Sequence, residues 1–223
     1  MIQKQRTKLK IISEDAESIT LDVTDIPQPL ANALRRVIIK EVPTMAVEEV
    51  LIIENSSVMT NEVLAHRISL IPFITDLENF NIAEECKCQS RLGCEKCVVR
   101  FVLRAEALNE PVTVYSRDIK PERTGISVAP FSGDIPVVAL APGQKVEMEL
   151  YVRLGRGRKH TKWMAGIATL YEENNRRYFY VESFGFLPPR RMVLEAAKIV
   201  KTKIREIEEG LKELMKYESA NAG

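Results

Sequence analysis

Hydrophobic and polar residues alternate along several short segments, which predicts a chain rich in β-strands. Between residues 18 and 24, Ile19, Leu21 and Val23 stand between polar residues, the period-two pattern of a half-buried strand. Similar strand patterns cover residues 9–12, 98–103, 112–115, 135–140, 146–154, 165–171 and 178–184. Asn174 and Asn175 predict a turn between the last two of these strands. The middle of the chain is therefore expected to be mostly β-structure.

Two shorter segments repeat apolar residues at spacings of three and four, which is the period of an amphipathic helix. The first helix is predicted to end before Pro43, and the second, over residues 61–70, to end before Pro72. The apolar positions of the first helix are Leu30, Ala33, Leu34, Val37 and Ile38.

A third and longer helix is predicted after Pro188 and Pro189, because proline suits the first turn of a helix. Its apolar stripe extends over about six turns. The stripe consists of Val193, Ala196, Val200, Ile204, Ile207, Leu211 and Leu214. A stripe of this length has to be covered by other apolar groups. We expect its first half to pack on the chain's own sheet, whereas the half beyond Gly210 could instead contact a partner chain.

The composition is that of a soluble globular protein with one or two domains. The 223 residues are 45% hydrophobic and 28% charged, so neither a disordered nor a membrane class is favoured. Lysine and arginine total 32 against 31 aspartates and glutamates, and this balance excludes a general attraction to nucleic acid. No apolar run approaches the roughly 18 residues of a membrane span, and none follows the polar N-terminus. We therefore expect a cytoplasmic protein without membrane contact.

The cysteines are the strongest chemical signal, since Cys86, Cys88, Cys94 and Cys97 all fall within twelve residues. Four thiolates in one loop suit a closed, structural Zn2+ site, which leaves no open position for water. Gly93 permits a tight turn, and basic residues of the loop offset the negative charge of the thiolates. These basic residues are Lys87, Arg91 and Lys96. Zinc is the favoured cofactor; an iron–sulfur centre and reduced free thiols, as in a redox-sensing protein, are the alternatives.

The sequence contains no catalytic motif. The two histidines, His66 and His160, lie outside the motifs of metalloproteases and hydrolases. Gly155 and Gly157 are not followed by the lysine and hydroxyl pair of a phosphate-binding loop. No two aspartates have the close spacing that holds paired magnesium ions. We therefore predict no catalytic residue.

Two basic features suit contact with nucleic acid. A cationic loop beside Trp163 could hold a strand by charge and stacking, although a solvated loop or a protein contact fits equally well. The members of this cationic loop are Arg153, Arg156, Arg158, Lys159, His160 and Lys162. Residues 176–181 partly match the aromatic strand of an RNA-recognition module, with Tyr178 and Tyr180 as stacking residues. A free-standing, zinc-containing RNA-binding protein is therefore the rival hypothesis.

Several segments carry a resemblance to a known family. They are LANALRRV at 30–37 with VPTMAV at 42–47, AHRISLIP at 65–72, the cysteine loop at 86–97, KHTKW at 159–163 and VESFG at 181–185. Together they resemble the D subunit of archaeal RNA polymerase, the counterpart of the eukaryotic third-largest polymerase subunit and of the N-terminal domain of bacterial alpha. The resemblance implies an α+β fold. A discontinuous dimerisation domain, residues 1–43 and 172–223, would consist of a sheet and two long helices, and the β-rich residues 44–171 would form an inserted domain that carries the metal loop.

The resemblance also implies a function without catalysis, namely an assembly subunit of DNA-directed RNA polymerase in transcription. Such a subunit forms a heterodimer with the smaller alpha-like subunit L and nucleates assembly of the second-largest and largest subunits. The small subunits N and P are further expected partners, and no direct sequence-specific DNA binding is expected. Because no cysteine lies outside the loop, an additional iron–sulfur domain is not expected.

The partner interface implied by the resemblance lies on the first and last helices. Its apolar members are Leu30, Leu34, Val37 and Ile38 in the first helix and Val200, Ile204, Ile207, Leu211 and Leu214 in the last. Arg35 and Arg36 are expected to contact a large catalytic subunit, with the cationic loop as a second candidate contact. His66 is then a structural or interface residue rather than an acid or base.

Overall fold

The chain forms two units, and each unit combines stretches that are far apart in the sequence. The structure, a computed structural model, describes residues 9–90 and 92–221, with side chains up to Tyr217. The first unit contains the chain up to Val42, Gly166–Glu182 and the residues from Pro188 onward. The second unit contains Pro43–Ala165 and Ser183–Leu187.

Helices and strands are mixed along the chain, which confirms the α+β class. In chain order the regular elements of the described residues are β1 (Lys10–Glu14), β2 (Ser18–Asp22), α1 (Gln28–Lys40), β3 (Pro43–Asn55), α2 (Asn61–Ser69), β4 (Val99–Glu106), β5 (Val112–Tyr115), β6 (Ile119–Pro121), β7 (Pro136–Leu140), β8 (Lys145–Arg156), β9 (Gly166–Glu173), β10 (Arg176–Ser183) and α3 (Pro189–Asn221). Short 3-10 helices occur at Ala83–Glu85, Ser116–Asp118 and Thr161–Trp163. Each strand and helix predicted from residue spacing is present, with ends shifted by a few residues.

The first unit is built on a four-stranded sheet with the strand order β1, β2, β10, β9. Ile19 and Leu21 of β2 are each 2% exposed and form part of its core. Asn174 and Asn175 have φ angles of 50° and 59°, the left-handed conformation of the predicted turn between β9 and β10. Helix α1 packs on β9 and on α3, and α3 also contacts β2.

The two helices of the first unit bury different fractions of their apolar residues. In α1, Ala31, Val37 and Ile38 are buried. In α3, Met192 and Ala196 are fully buried, whereas every side chain from Lys201 to Tyr217 is exposed. The first half of the α3 stripe was expected to pack on the chain's own sheet; the helix contacts β2 of that sheet and also α1. The exposed half begins at Lys201, well ahead of Gly210.

The second unit contains a sheet with the order β3, β8, β4, β6 and a two-stranded sheet of β5 and β7. Helix α2 contacts β3 and buries Leu64 and Ile68. The rings of Phe73 and Phe101 meet edge to face in this core, with centroids 5.2 Å apart. The unit is thus held by apolar residues on one face of the larger sheet and on α2.

Strand β3 is a long element that the residue pattern did not predict. It pairs with β8 from Pro43 to Asn55, and its register shifts between Val47 and Glu49 and again between Ile52 and Glu54. Each shift breaks the alternation of apolar and polar residues, because the bulged strand has one extra residue. Residues 44–47 are buried without alternation. The period-two pattern is therefore absent from a genuine strand.

Candidate metal centre and its surroundings

The four cysteines predicted as metal ligands come together at one point of the second unit. Their sulfur atoms all lie within 4.8 Å of one another. The sulfurs of Cys86 and Cys94, of Cys88 and Cys97, and of Cys94 and Cys97 are each 3.8 Å apart. A tetrahedral ion with metal–sulfur bonds of about 2.3 Å requires sulfur separations of about 3.8 Å. The geometry therefore fits a single, tetrahedrally coordinated metal ion.

Local backbone structure brings the sulfurs together. Gly93 has a φ of 81°, as the predicted tight turn requires, and a β-carbon there would lie 2.2 Å from Cγ2 of Val98. After this turn the N–H of Cys94 donates to the sulfur of Cys97 at 3.2 Å, and the N–H of Cys97 donates to the carbonyl of Cys94 at 2.9 Å. Glycine is needed at position 93 both for its backbone conformation and for space.

The thiols differ in burial and therefore in how readily they lose a proton. Cys97 is 1% exposed, and burial raises the pKa of its thiol to about 12. Cys88 is exposed, and a hydrogen bond from the backbone N–H of Ser90, with support from the neighbouring thiols, lowers its pKa to about 7. Four thiolates this close repel one another, so a cation is needed to hold all of them deprotonated.

Basic residues were expected to offset the charge of the thiolates. Lys87 and Lys96 are exposed positions of the cysteine loop, and Arg91 lies outside the described residues. The N–H of Asn81 donates to the carbonyl of Lys96 at 2.7 Å and closes the loop at its base.

The cationic loop is paired with carboxylates of the same unit. The Nζ atom of Lys159 lies 3.1 Å from Glu84 and 3.3 Å from Glu48, and the Nζ atom of Lys162 lies 2.8 Å from Glu48. Further pairs join Arg153 to Glu49 at 3.3 Å and Arg156 to Glu85 at 2.7 Å. The positive charge of this loop is therefore largely balanced within the chain.

Trp163 is a core residue rather than a stacking platform. It is 2% exposed, its Nε1 donates to the carbonyl of Arg153 at 3.2 Å, and the ammonium of Lys162 lies 4.4 Å from its ring centroid. A base could not reach the buried ring without unfolding the loop. Of the alternatives given for this loop, stacking of a nucleic-acid strand on Trp163 is disfavoured, because the ring is buried.

The tyrosines of the RNA-binding hypothesis also have partners inside the first unit. The ring of Tyr178 stacks on that of Tyr171, with centroids 5.3 Å apart. The hydroxyl of Tyr180 donates to Glu182 at 2.9 Å, and this hydrogen bond raises the pKa of Tyr180. Both tyrosines therefore serve the structure of β10 and its neighbours.

The α1 residues that were expected to contact a partner differ in how exposed they are. Those with accessible surface are Leu30, Leu34, Arg35 and Arg36. Val37 and Ile38, in contrast, are 9% and 0% exposed. Both are buried residues of α1, the helix that packs on β9 and α3. In the isolated chain these two side chains offer little surface, and their part in a partner interface stays a prediction.

The α3 residues of the expected interface are accessible. Val200 is half-buried. Ile204, Ile207, Leu211 and Leu214 are between 56% and 65% exposed, and they lie three or four residues apart on one side of the helix. A continuous exposed apolar stripe of this kind is typical of surfaces that bind another chain.

Other candidate residues are distributed without forming an active site. His66 is exposed on α2, where its carbonyl accepts a hydrogen bond from Ser69 at 2.8 Å. Among the described residues, the four cysteines are the single group of histidine, cysteine and acidic side chains with a metal-binding arrangement. In that same part of the chain, no helix has both the length and the hydropathy for crossing a bilayer.

Sequence reasoning missed the acidic partners of the cationic loop. Glu48 and Glu49 are a Glu–Glu pair on β3, and Glu84 and Glu85 are a second pair directly before Cys86. The sequence does contain a signal for these contacts, namely two pairs of adjacent glutamates in a chain that has one strongly cationic loop. Charge complementarity alone, however, does not say which pair meets which cation.

Comparison with known proteins identifies the family. Residues 50–168, more than half of the chain, match the family model of the RNA polymerase Rpb3/RpoA insert domain. The chain belongs to this family, and the resemblance noted in the sequence is confirmed.

Several relatives carry the name DNA-directed RNA polymerase subunit Rpo3. The relative from Pyrobaculum neutrophilum is 46% identical over 142 residues, which is 64% of this chain and 53% of the relative. The relatives from Methanosphaera stadtmanae and Thermococcus kodakarensis are 39% and 40% identical over 159 residues, which is 70% and 71% of this chain and 57% of each relative. The chain thus spans little more than half the length of these relatives.

Proposed function

We propose that this chain is a non-catalytic assembly subunit of a DNA-directed RNA polymerase and acts in transcription in the cytoplasm. The family of the chain and the names of its relatives support this function. The observation that carries the proposal is the exposed apolar stripe of α3, which includes Ile204, Ile207, Leu211 and Leu214. A chain with such a stripe is suited to bind another chain.

The proposed partner of the stripe is the smaller alpha-like subunit L, in a heterodimer. Burying one leucine or isoleucine side chain contributes about 1.5–3 kcal/mol, so these four residues together offset much of the association cost of about 4–15 kcal/mol. Leu30 and Leu34 add apolar surface from α1, which packs against α3. Residues 1–43 and 172–223 are proposed as the dimerisation domain, and residues 44–171 as the insert.

Assembly of the polymerase is proposed to continue from this heterodimer. A partner that binds only the folded chain stabilises it by mass action, so each subunit added would hold the previous one folded. The second-largest and largest subunits and the small subunits N and P are the proposed later partners. Arg35 and Arg36, whose guanidinium groups can pair with carboxylates, are the proposed contacts to a large subunit.

The four-cysteine centre is proposed to hold a structural zinc ion. Zinc favours four thiolates in a tetrahedron, and the 3.8 Å sulfur separations suit one ion. A multinuclear iron–sulfur cluster is disfavoured, because its cysteines bind different iron atoms and need wider spacing. When bound, zinc would supply positive charge and a cross-link between the ends of the loop.

Substitution of Ile207 by aspartate tests the assembly role. Ile207→Asp places a charge in the exposed stripe and should weaken binding of a co-expressed subunit L at least 100-fold, because an unpaired charge is costly to bury. Thr202→Asp is the matched control, since it introduces the same charge on the opposite side of the exposed half of α3. Native mass spectrometry reports the stoichiometry of each complex.

The outcomes of this experiment separate two parts of the proposal. A one-to-one heterodimer for the wild-type chain and Thr202→Asp, with free chains for Ile207→Asp, supports both the partner and the interface. Stoichiometric binding by Ile207→Asp would reject the α3 interface. A wild-type chain that ignores subunit L would reject the heterodimer itself.

A further inference from the structure

Two ion pairs join the 3-10 helix directly before the metal loop to the end of β8 and the segment that follows it. The ammonium of Lys159 lies between the carboxylates of Glu84, at 3.1 Å, and Glu48, at 3.3 Å. Next to it, Nη2 of Arg156 lies 2.7 Å from Glu85. Glu84 and Glu85 are 71 to 75 residues away from their partners in sequence, so these contacts tie two distant stretches together.

The two glutamates stand directly before the first metal ligand. They belong to the 3-10 helix Ala83–Glu85, and the N–H of Cys86 donates to the carbonyl of Ala83 at 3.2 Å. The backbone that carries the sulfur of Cys86 is therefore part of the same turn that presents both carboxylates. Anything that fixes this turn also fixes the starting position of the metal loop.

The far end of the metal loop is held by apolar contact rather than by charge. Cys97, Val98 and Tyr151 form a small buried cluster, in which Tyr151 comes from β8. Strand β8 and the segment after it thus hold both ends of the loop. They contact Cys97 at one end and the helix before Cys86 at the other.

The two lysines of the segment after β8 are held with different firmness. Lys162 is well buried and binds both Glu48 and the carbonyl of Val47, at 2.8 and 2.9 Å. Lys159, in contrast, has a side chain that is 53% exposed and depends on Glu48 and Glu84 for its position. One of its two carboxylates, that of Glu84, belongs to the 3-10 helix directly before the metal loop, so the order of this lysine depends in part on the order of that helix.

We propose that Glu84 and Glu85 are positioning residues that couple metal binding to the order of residues 156–160. A bound metal fixes the turn before Cys86, and the turn then holds Lys159 and Arg156. By thermodynamic linkage, the same ion pairs favour metal retention, because they keep Cys86 in the binding position before the metal arrives. The proposal rests on the metal centre proposed above and is independent of the assembly role.

The first test measures zinc retention in the full-length chain. Zinc-loaded wild type, Glu84→Gln, Lys159→Met and the double variant are mixed with excess chelator, and the rate of zinc release is followed. Each single variant should release zinc about three to ten times faster than wild type. The double variant should be no faster than the faster single variant, because both changes remove the same ion pair.

Lys145→Met is the matched control for these variants. Lys145 lies on β8 and, like Lys159, binds two carboxylates, those of Glu54 and Glu147, but it is at the opposite end of the strand from the cysteine loop. This control should release zinc at the wild-type rate. Far-UV circular dichroism should be the same for all variants, since every substituted side chain has a solvent-exposed portion.

The second test measures the reverse effect, that of zinc on the order of residues 156–160. Zinc removal should increase amide hydrogen exchange in residues 156–160 of the wild-type chain. The increase should be smaller in Lys159→Met, which has lost one of the two ion pairs to the turn and keeps that of Arg156 with Glu85. Equal zinc release by all variants, or exchange that is unchanged by zinc removal, would overturn the coupling. A wild-type chain that takes up no zinc would also overturn the coupling, because the coupling rests on the metal centre. This result is distinct from a failure to bind subunit L, which concerns the assembly role.

Discussion

The backbone of Gly155 lies against the indole ring of Trp163, and the ring fills the space of a β-carbon. A β-carbon at position 155 would stand 2.3 Å from Cε2 and 2.4 Å from Cδ2 of the ring. The ring cannot move away easily, because it is 2% exposed and its Nε1 is hydrogen-bonded to Arg153. The close approach explains why a glycine stands near the end of β8.

Gly155→Ala should therefore destabilise the chain. The added methyl group has to displace a buried ring, which costs about 2 kcal/mol, and urea denaturation should show this loss in the free energy of unfolding. Gly210→Ala is the control, because a β-carbon at Gly210 meets nothing within 4 Å and alanine favours the helix. Equal stability of Gly155→Ala and wild type would mean that the ring is more mobile than the packing indicates.

The burial of Ile38 leads to a second prediction. Ile38 is 0% exposed and Ile204 is 56% exposed, although both belong to apolar helical stripes. Ile38→Ala should lower the free energy of unfolding of the chain without partners by about 2–4 kcal/mol, because it leaves a cavity. Ile204→Ala, as its control, should change that free energy by less than about 0.5 kcal/mol. Chemical denaturation of both variants measures the difference, and similar losses would contradict the assignment of Ile38 to the core.

The fold could be predicted from the sequence wherever the pattern is local. The spacing of Ile19, Leu21 and Val23 predicted β2, and the turn at Asn174 and Asn175 was predicted from residue type alone. Strand β3 was not predicted, because its two bulges interrupt the alternation. An apolar stripe shows that a helix face will be covered but does not show by what. Val37 was expected at a partner interface, and it is only 9% exposed in the isolated chain.

In the candidate site, too, local features could be predicted from the sequence and long-range contacts could not. The cysteines could be predicted as one cluster, because their residue type and their spacing within one loop carry the information. The contact of Lys159 with Glu84 could not be predicted, because the two residues are 75 positions apart and meet only when β8 is in place. The metal ligands could therefore be predicted from the sequence, whereas the ion pair that ties the region of the cysteine loop to the rest of the second unit could not.

The carboxylate of Asp76 gives a third prediction, which concerns acid stability. Burial raises the pKa of Asp76, but hydrogen bonds from the Asn79 side chain, the Ser127 hydroxyl and two backbone N–H groups outweigh burial and lower it from 3.8 to about 2. A carboxylate with a lowered pKa stabilises the fold above its unfolded pKa of about 4, and this contribution is lost as the pH falls through the folded value.

Asp76→Asn tests this contribution. At pH 7 the variant should lose about 1 kcal/mol of unfolding free energy, a value discounted for solvent screening. The difference from wild type should shrink as the pH falls from about 4 to about 2, because wild-type Asp76 then becomes protonated as well. Glu110→Gln, at an exposed position of the same unit, is the control for loss of a surface carboxylate. A pH-independent loss in Asp76→Asn would assign the effect to geometry rather than to charge.

The four-cysteine centre leads to the last prediction, which concerns metal content. Purified with zinc, the chain should carry one ion, because the four sulfurs lie within 4.8 Å of one another and surround a single position. Cys94→Ser should reduce zinc affinity at least 100-fold, since this sulfur has two ligand sulfurs at 3.8 Å and a serine hydroxyl is a poor substitute for a thiolate. Ser90→Ala is the control, because it changes the same loop without removing a ligand. Native mass spectrometry measures the stoichiometry, and a zinc content in Cys94→Ser equal to that of wild type would exclude this sulfur as a ligand.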